Sequence, residues 1–448
     1  MRKGNSAGQL LAVGIGLCLA LLLAELSAQV VPVAAGEAAA AYEQDQIVVK
    51  LNPGAAVAAV NASYGTTTAK VLLGSASVYL LQTPPGVDAD QLKESMSGDP
   101  RLAYAEFNYI GAAPEASASG IFGWPDDEAD PRLVYEWQWA GGDSGRYYNQ
   151  PAVHRTNLSQ AHAVSRGAGA VVAVLDTGID LNHPVLSGSL TQARYDFVDD
   201  DGVPEDAFNN VDDDGDGFVD EAGGHGTHVA GIVHLVAPEA RLMPLRVLDS
   251  DGQGNIFIVA EAIIYAVNHG ASVINLSMGT WQSSTLLQDV LDEVTASGVV
   301  VVGAAGNLNA DVPQYPAAAA CALAVTAVNP GLVKSTYASY GQWVDLAAPG
   351  DRIYSTYPDN GFAWWKGTSM ATPFVAGQAA LIRSADPDLS LEDVGMLISN
   401  TARPVDKQNP QYKGLLGTGQ VDIGGSLEYL ANGLWPASAS NPLQSCAN

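Results

Sequence analysis

Two different hydrophobic rhythms divide the chain. Between residues 46 and 108 short apolar runs alternate with helical spacing: strand at 46–51, helix at 55–64, strands at 67–73 and 77–82, helix at 88–97, strand at 102–107. That β-α-β-β-α-β order predicts a small ferredoxin-like α+β unit. From residue 170 onward the rhythm changes. Ala170-Val-Val-Ala-Val-Leu175 and the runs at 272–276, 299–303 and 322–328 are apolar without alternation, as strands buried on both faces are. Helical stretches at 256–269 and 285–297 separate them, with further helices at 370–384 and 391–401. Strands that alternate with helices predict an α/β domain, a doubly wound and mainly parallel sheet with helices on both faces. No repeat with a period of 20–50 residues is present.

The flanks complete a division of the 448 residues. Met1, Arg2 and Lys3, followed by the apolar stretch 10–23 and the small-residue site Leu26-Ser-Ala28, read as a secretory signal over 1–28. The run is too short for a stable membrane anchor and lacks a positively charged stop. The α+β unit occupies 42–110, an exposed linker and an aromatic N-terminal arm occupy 111–150, the α/β domain occupies 151–435, and 436–448 reads as an unstructured tail. In the arm, Trp137, Trp139, Tyr147 and Tyr148 are spaced as packing residues.

Charge narrows the partners. With 48 Asp and Glu against 20 Lys and Arg the net charge is -28, which argues against nucleic acid and anionic membranes and for solubility or cation binding. A monomer is expected. Cys18 falls in the leader, so Cys321 and Cys446 remain, and an oxidising compartment could pair them once. Neither lies in a motif that would make it a nucleophile.

Three motifs offer chemistry. GHGTHVAG at 224–231 places His225 between glycines at the mouth of a helix, with room beside the ring for a substrate backbone. Imidazole is suited to shuttle a proton near neutral pH. DTG at 176–178 follows an apolar strand directly, so Asp176 belongs at the carboxyl edge of a parallel sheet, where active sites of open α/β folds lie. GTSMATPFVAG at 367–377 sets Ser369 before a helix whose first turn tolerates Pro373. Free amides there favour a developing anion. DTG is also the aspartic-protease signature, but the nearest second acidic loop, Asp143-Ser-Gly145, is too close to Asp176 to form another lobe. His228, one turn after His225, has no third ligand and no HExxH context, so it reads as a buried structural histidine.

Taken together and in this order, the three motifs resemble the signatures of the subtilisin-like serine proteases. The run at 299–307 is similar to the family strand that ends in an oxyanion-hole asparagine, here Asn307, and 274–279, 346–350 and 419–422 are similar to further landmarks. The resemblance covers about 161–430 and implies a secreted serine endopeptidase acting on polypeptide substrates through Asp176, His225 and Ser369. It implies that Ser277, Met278, Gly279, Ala304, Ala305 and Gly306 bind substrate. Because none of these is acidic, a large apolar or aromatic side chain is expected before the scissile bond. The 42–110 unit resembles the family's inhibitor prodomain, which implies an intramolecular inhibitor removed by self-processing.

The acidic stretch 196–221 is the last candidate site. Asp212, Asp214 and Asp216 alternate before Gly217, with Asp220 and Glu221 following. Alternate carboxylates in a tight turn converge on one cation, yet the twelfth position is Gly223, so this is no EF-hand. Similar loops in the family imply calcium held by Asp212, Asp214, Asp216, Asp220 and Glu221. A catalytically silent, calcium-binding interaction protein on the same fold is the alternative reading.

Overall fold

Period-two alternation inside the apolar strands is what builds the domain. A computed structural model describes residues 42–115, 137–138, 144–435, 441–443 and 446. Val172 and Val174 of strand Val171–Asp176 enter one core, and Ala173 and Leu175 enter another on the opposite face. Val300 and Val302 divide from Val301 in the same way. One core is filled by helices His225–Val236, Thr368–Ala385 and Leu391–Thr401, the other by Ile256–Asn268 and Thr285–Ala296. A strand with no polar face therefore demands a helical layer on each side.

Seven strands form the sheet, in the order Leu346–Pro349, Ala322–Val328, Val300–Ala304, Val273–Leu276, Val171–Asp176, Arg241–Arg246, Tyr195–Asp196. All their pairings are parallel. The chain leaves Val171–Asp176 toward one edge and returns to build the other, so the winding reverses beside that strand. The crevice at its carboxyl end is where ligands bind in such sheets.

The N-terminal unit has the expected β-α-β-β-α-β order, with helices Val57–Tyr64 and Ala89–Met96 on a separate apolar core. One difference matters. The last strand was expected to stop at 107 and the linker to begin at 111, but Leu102–Ala112 continues and pairs antiparallel with Gln253–Asn255 of the α/β domain. Small residues at 111–113, which read as a linker, are what lets the chain run through a narrow cleft.

The same strand caps two helices of the larger domain. Glu106 accepts from Ser284 Oγ (2.9 Å), Thr285 N (2.9 Å) and Leu286 N (2.9 Å), and Asn108 Oδ1 accepts from Phe257 N (3.1 Å). Helix N-termini leave about four amides without helical partners, and a carboxylate there also meets the favourable end of the dipole.

Two peripheral expectations are revised or filled in. The tail over 436–448 was expected to be unstructured, yet Leu443 is buried in the first core and Cys446 is joined to Cys321. Burying one leucine contributes about 1.5–3 kcal/mol, enough to hold a short polar segment already tethered by a disulfide. In the arm, Tyr147 is buried and donates to Gly231 O (2.6 Å), in line with the packing role expected for it. The leader over 1–28 lies outside the described residues. Among the described residues no helix is long and apolar enough to cross a membrane.

Candidate active site

Asp176 ends its strand, His225 begins helix His225–Val236, and Ser369 is the second residue of helix Thr368–Ala385. All three are fully buried. Asp176 Oδ1 meets His225 Nδ1 at 2.7 Å and also accepts from Thr177 N (2.8 Å). The glycines beside His225 do not keep space for substrate, as their sequence setting suggested. A Cβ on Gly226 would stand 2.1 Å from Gly178 O and one on Gly224 2.2 Å from the Tyr357 ring, so the first lets the helix reach the Asp176 strand and the second lets the Tyr357 ring pack against the helix start.

Behind the pair lies Asp206, a residue the sequence did not single out. It is fully buried and accepts from Thr177 Oγ1 (3.0 Å), Gly224 N (3.0 Å), Thr227 N (2.9 Å) and Thr227 Oγ1 (2.5 Å). Burial pushes its carboxyl up to about 6 against those four donors. It thereby clamps the start of the His225 helix to the DTG turn.

The serine helix starts earlier than expected, at Thr368, which places Pro373 past the first turn. Having no N–H, Pro373 cannot bond the carbonyl four residues before it, that of Ser369. Ser277 Oγ donates to that carbonyl instead (3.0 Å). On the other side, Asn307 Oδ1 accepts from Thr368 N (3.0 Å) and Thr368 Oγ1 (3.0 Å), which leaves its amide nitrogen free to face the cleft. His228 Nε2 donates to Ala363 O (3.1 Å), and burial pulls it down to about 3, in keeping with a structural histidine. Its ring and that of His225 both stand edgewise to Trp365, at centroid distances of 5.6 Å.

A residue from the N-terminal segment occupies the centre. The Glu115 carboxylate accepts from Ser369 Oγ (2.5 Å) and Asn307 Nδ2 (2.9 Å), and its Oε2 lies 3.2 Å from His225 Nε2. Ser369 and His225 are thus bridged by a carboxylate. Burial opposes charge on His225, but Asp176 and Glu115 outweigh it and hold the imidazole up to about 10.

The segment before Glu115 lies in the cleft as an added strand. Ala112 exchanges both backbone bonds with Gly279 (2.9 Å each), and Ala113 N donates to Gly252 O (2.9 Å). Ser277–Gly279, expected to bind substrate, is one wall. Gly252, with Gln253–Asn255 beyond it, is the other, and sequence reasoning missed it because a polar Gly-rich turn carries no strand signal. Ala304, Ala305 and Gly306 follow the sheet edge next to Asn307, and both alanines are buried.

In the acidic loop, Asp212, Asp214 and Asp216 come together, each offering an oxygen within 4.8 Å of the others. Both Glu221 oxygens are buried without a partner among the described residues. Burial first, then Asp216, Asp214, Asp251 and Asp212, push this glutamate up to about 7. Asp220 departs from the expected set. It accepts from Asn209 N (2.9 Å) and Asn210 N (2.9 Å), so its carboxylate is committed to the loop backbone. Asp251, unforeseen because it lies beyond His225 in the chain, braces the loop by accepting from Asp220 N (2.6 Å).

A carboxylate, an imidazole and a hydroxyl in line, beside an oriented amide at a sheet edge, are the parts of a serine hydrolase. Residues 167–419 match the Subtilase family, and residues 28–108 match the Fervidolysin N-terminal prodomain. Thermitase of Thermoactinomyces vulgaris is 40% identical over 253 residues, 54% of this chain and 84% of thermitase. Subtilisin BL of Lederbergia lenta is 36% identical over 275 residues, 59% of this chain and 93% of that protein. The solved structure of fervidolysin from Fervidobacterium pennivorans, a keratinolytic enzyme related to subtilisin, is alike in fold with a TM-score of 0.67 at 24% identity. That likeness covers 86% of this chain, which spans 61% of fervidolysin.

The chain belongs to the subtilase family. It is a serine-type endopeptidase with an N-terminal prodomain.

Proposed function

We propose that this chain is the precursor of a secreted endopeptidase in which Ser369 is the nucleophile and His225 the base oriented by Asp176. The observation that carries this reading is the meeting of Ser369 Oγ, His225 Nε2 and Asn307 Nδ2 on one carboxylate. Groups placed to hold two carboxylate oxygens are placed to hold the oxygens of a tetrahedral adduct. With a peptide in the cleft, Ser369 Oγ attacks the carbonyl carbon while His225 Nε2 takes its proton. Asp176 stabilises the imidazolium, which then protonates the departing amine. Asn307 Nδ2 and the Ser369 backbone N–H receive the oxyanion, and water, activated by the same imidazole, releases the acyl group. Substrate backbone takes the place of residues 110–113 as an added strand, so polypeptides are held mainly through main-chain bonds. Replacing Asn307 by Leu is expected to lower kcat by about 10²–10³-fold while KM changes little, since the amide acts on charge that develops in the transition state. Equal changes in KM and kcat/KM, with kcat intact, would instead make Asn307 a ground-state binder.

Residues 42–115 act as the intramolecular inhibitor, and self-cleavage downstream of Glu115 begins maturation. Calcium fits the acidic loop. Asp212, Asp214, Asp216 and Glu221 would hold it, because three carboxylates around an orphaned glutamate form an oxygen-rich site with uncompensated charge. A bound ion at a hundred times its Kd stabilises by about 2.7 kcal/mol. Chelation should therefore lower the melting temperature by about 5 °C or more. Asp214→Asn should remove most of that sensitivity. Melting curves that coincide with and without chelator would sink the assignment.

A further inference from the structure

The backbone on both sides of Asn307 hangs on one neighbouring segment. Ser339 N donates to Gly306 O (2.9 Å), Leu308 N donates to Ser339 Oγ (3.1 Å), and Asn309 N donates to Tyr337 O (2.6 Å). That segment is shaped from inside by Lys334. The Lys334 ammonium donates to Ser335 O (2.9 Å) and Ala338 O (2.7 Å), which closes the turn, and to Asn309 Oδ1 (2.7 Å), which joins the turn to the Asn307 loop. Its three N–H donors are thereby all engaged. The rings of Tyr340 and Tyr412 also lie against it, with centroids 5.3 and 4.9 Å from Nζ.

Lys334 is only 4% exposed, and its partners among the described residues are neutral: three oxygens and two ring faces. Taking an ammonium out of water without a carboxylate beside it is unfavourable, and an apolar side chain would fill the same space at less cost. Carbonyl dipoles and aromatic faces offset part of that cost only while they stay aimed at the charge. The charge therefore holds its surroundings in one arrangement, and the Asn309 side chain carries that arrangement to the loop that presents Asn307.

We propose that Lys334 is a positioning residue for the oxyanion hole, its ammonium fixing the Ser335–Ser339 turn and the Asn309 side chain so that the Asn307 amide is held where the oxyanion forms. The proposal rests on the reading of Asn307 as an oxyanion donor. It assigns the buried lysine to the transition state and not to substrate binding.

The test uses processed enzyme whose active-site concentration is measured by stoichiometric titration. Lys334→Met keeps the length of the side chain and removes its charge. It should lower kcat about tenfold with KM changed less than about twofold, a part of the 10²–10³-fold lost when an oxyanion donor is removed outright. In an Asn307→Leu background the same change should lower kcat by less than about twofold, because the amide it positions is already gone. A kcat within about twofold of wild type in Lys334→Met, whatever its melting temperature, overturns the proposal, and so does a full tenfold loss in the Asn307→Leu background. If Lys334→Met does not fold, two changes at exposed Asn309 decide the matter. Asn309→Gly suits the backbone there (φ 50°) and removes the acceptor, whereas Asn309→Asp keeps it. The first should lower kcat about threefold and the second should not, and equal kcat in the two overturns the proposal. An Asn307→Leu enzyme with wild-type kcat overturns the oxyanion reading itself, and the proposal with it.

Discussion

Replacing Ser369 by Ala is expected to lower kcat on a denatured protein by about 10⁶-fold, the size of the loss when a subtilisin loses its serine. The same change should leave the prodomain attached, seen as an intact mass that retains residues 42–115. Two features make the effect specific to chemistry. Among the described residues the Ser369 hydroxyl bonds Glu115 and Ser277 O, so the substitution removes no packing volume from either core. The capping network of Thr368 and Asn307 is untouched, and the melting temperature should shift by only a few degrees. A variant that still matures and digests protein would place the nucleophile elsewhere.

Glu115→Gln carries the second large effect. The substitution keeps the side chain's shape but removes its charge, and it turns an amide N–H toward a site built of donors. Truncating or neutralising one partner of a buried, hydrogen-bonded charge pair costs about 2–5 kcal/mol. The prodomain should therefore inhibit about 30-fold more weakly or worse, and the precursor should mature faster. The wild-type contact should also depend on pH with a definite sign. With Glu115 docked, His225 is held protonated up to about 10, and undocking removes the Glu115 share of that support while Asp176 stays, so the imidazole then titrates lower. The docked state thus binds more protons in that window, and inhibition weakens as pH rises through it, by at most about tenfold per unit. Below the window both states carry the proton and the dependence vanishes. In Glu115→Gln the slope should flatten. An inhibition constant that is flat from pH 7 to 10 in the wild type would contradict the ion pair between Glu115 and His225.

Local signal explains which parts of the site could be read from the chain. Asp176, His225, Ser369 and Asn307 each sit where an apolar run gives way to glycine and small residues. Strand ends and helix starts announce themselves in that way, and the sheet order then brings the four together. Glu115 offered nothing of the kind. It lies in an Ala-, Ser- and Pro-rich stretch, and its contact with Ser369 spans 254 residues. Its partner exists only after the last prodomain strand has been laid between Gln253–Asn255 and Gly279. Asp206 was invisible for a related reason. A single buried polar residue in a loop looks like any turn residue until its donors, or its lack of them, are known. The acidic loop was half legible: alternation placed Asp212, Asp214 and Asp216 together, but that Asp220 turns to the backbone at Asn209 and Asn210 instead could not be read from spacing.

The central claim is that Ser369 is the nucleophile and that the prodomain segment covers it until maturation. Treating a preparation that contains both precursor and processed chains with a fluorophosphonate, then mapping adducts by peptide mass, addresses both halves at once. The account predicts one adduct, on Ser369, in chains that have lost residues 42–115, and none in chains that retain them. An adduct on another residue, or equal labelling of Ser369 in both forms, would contradict it.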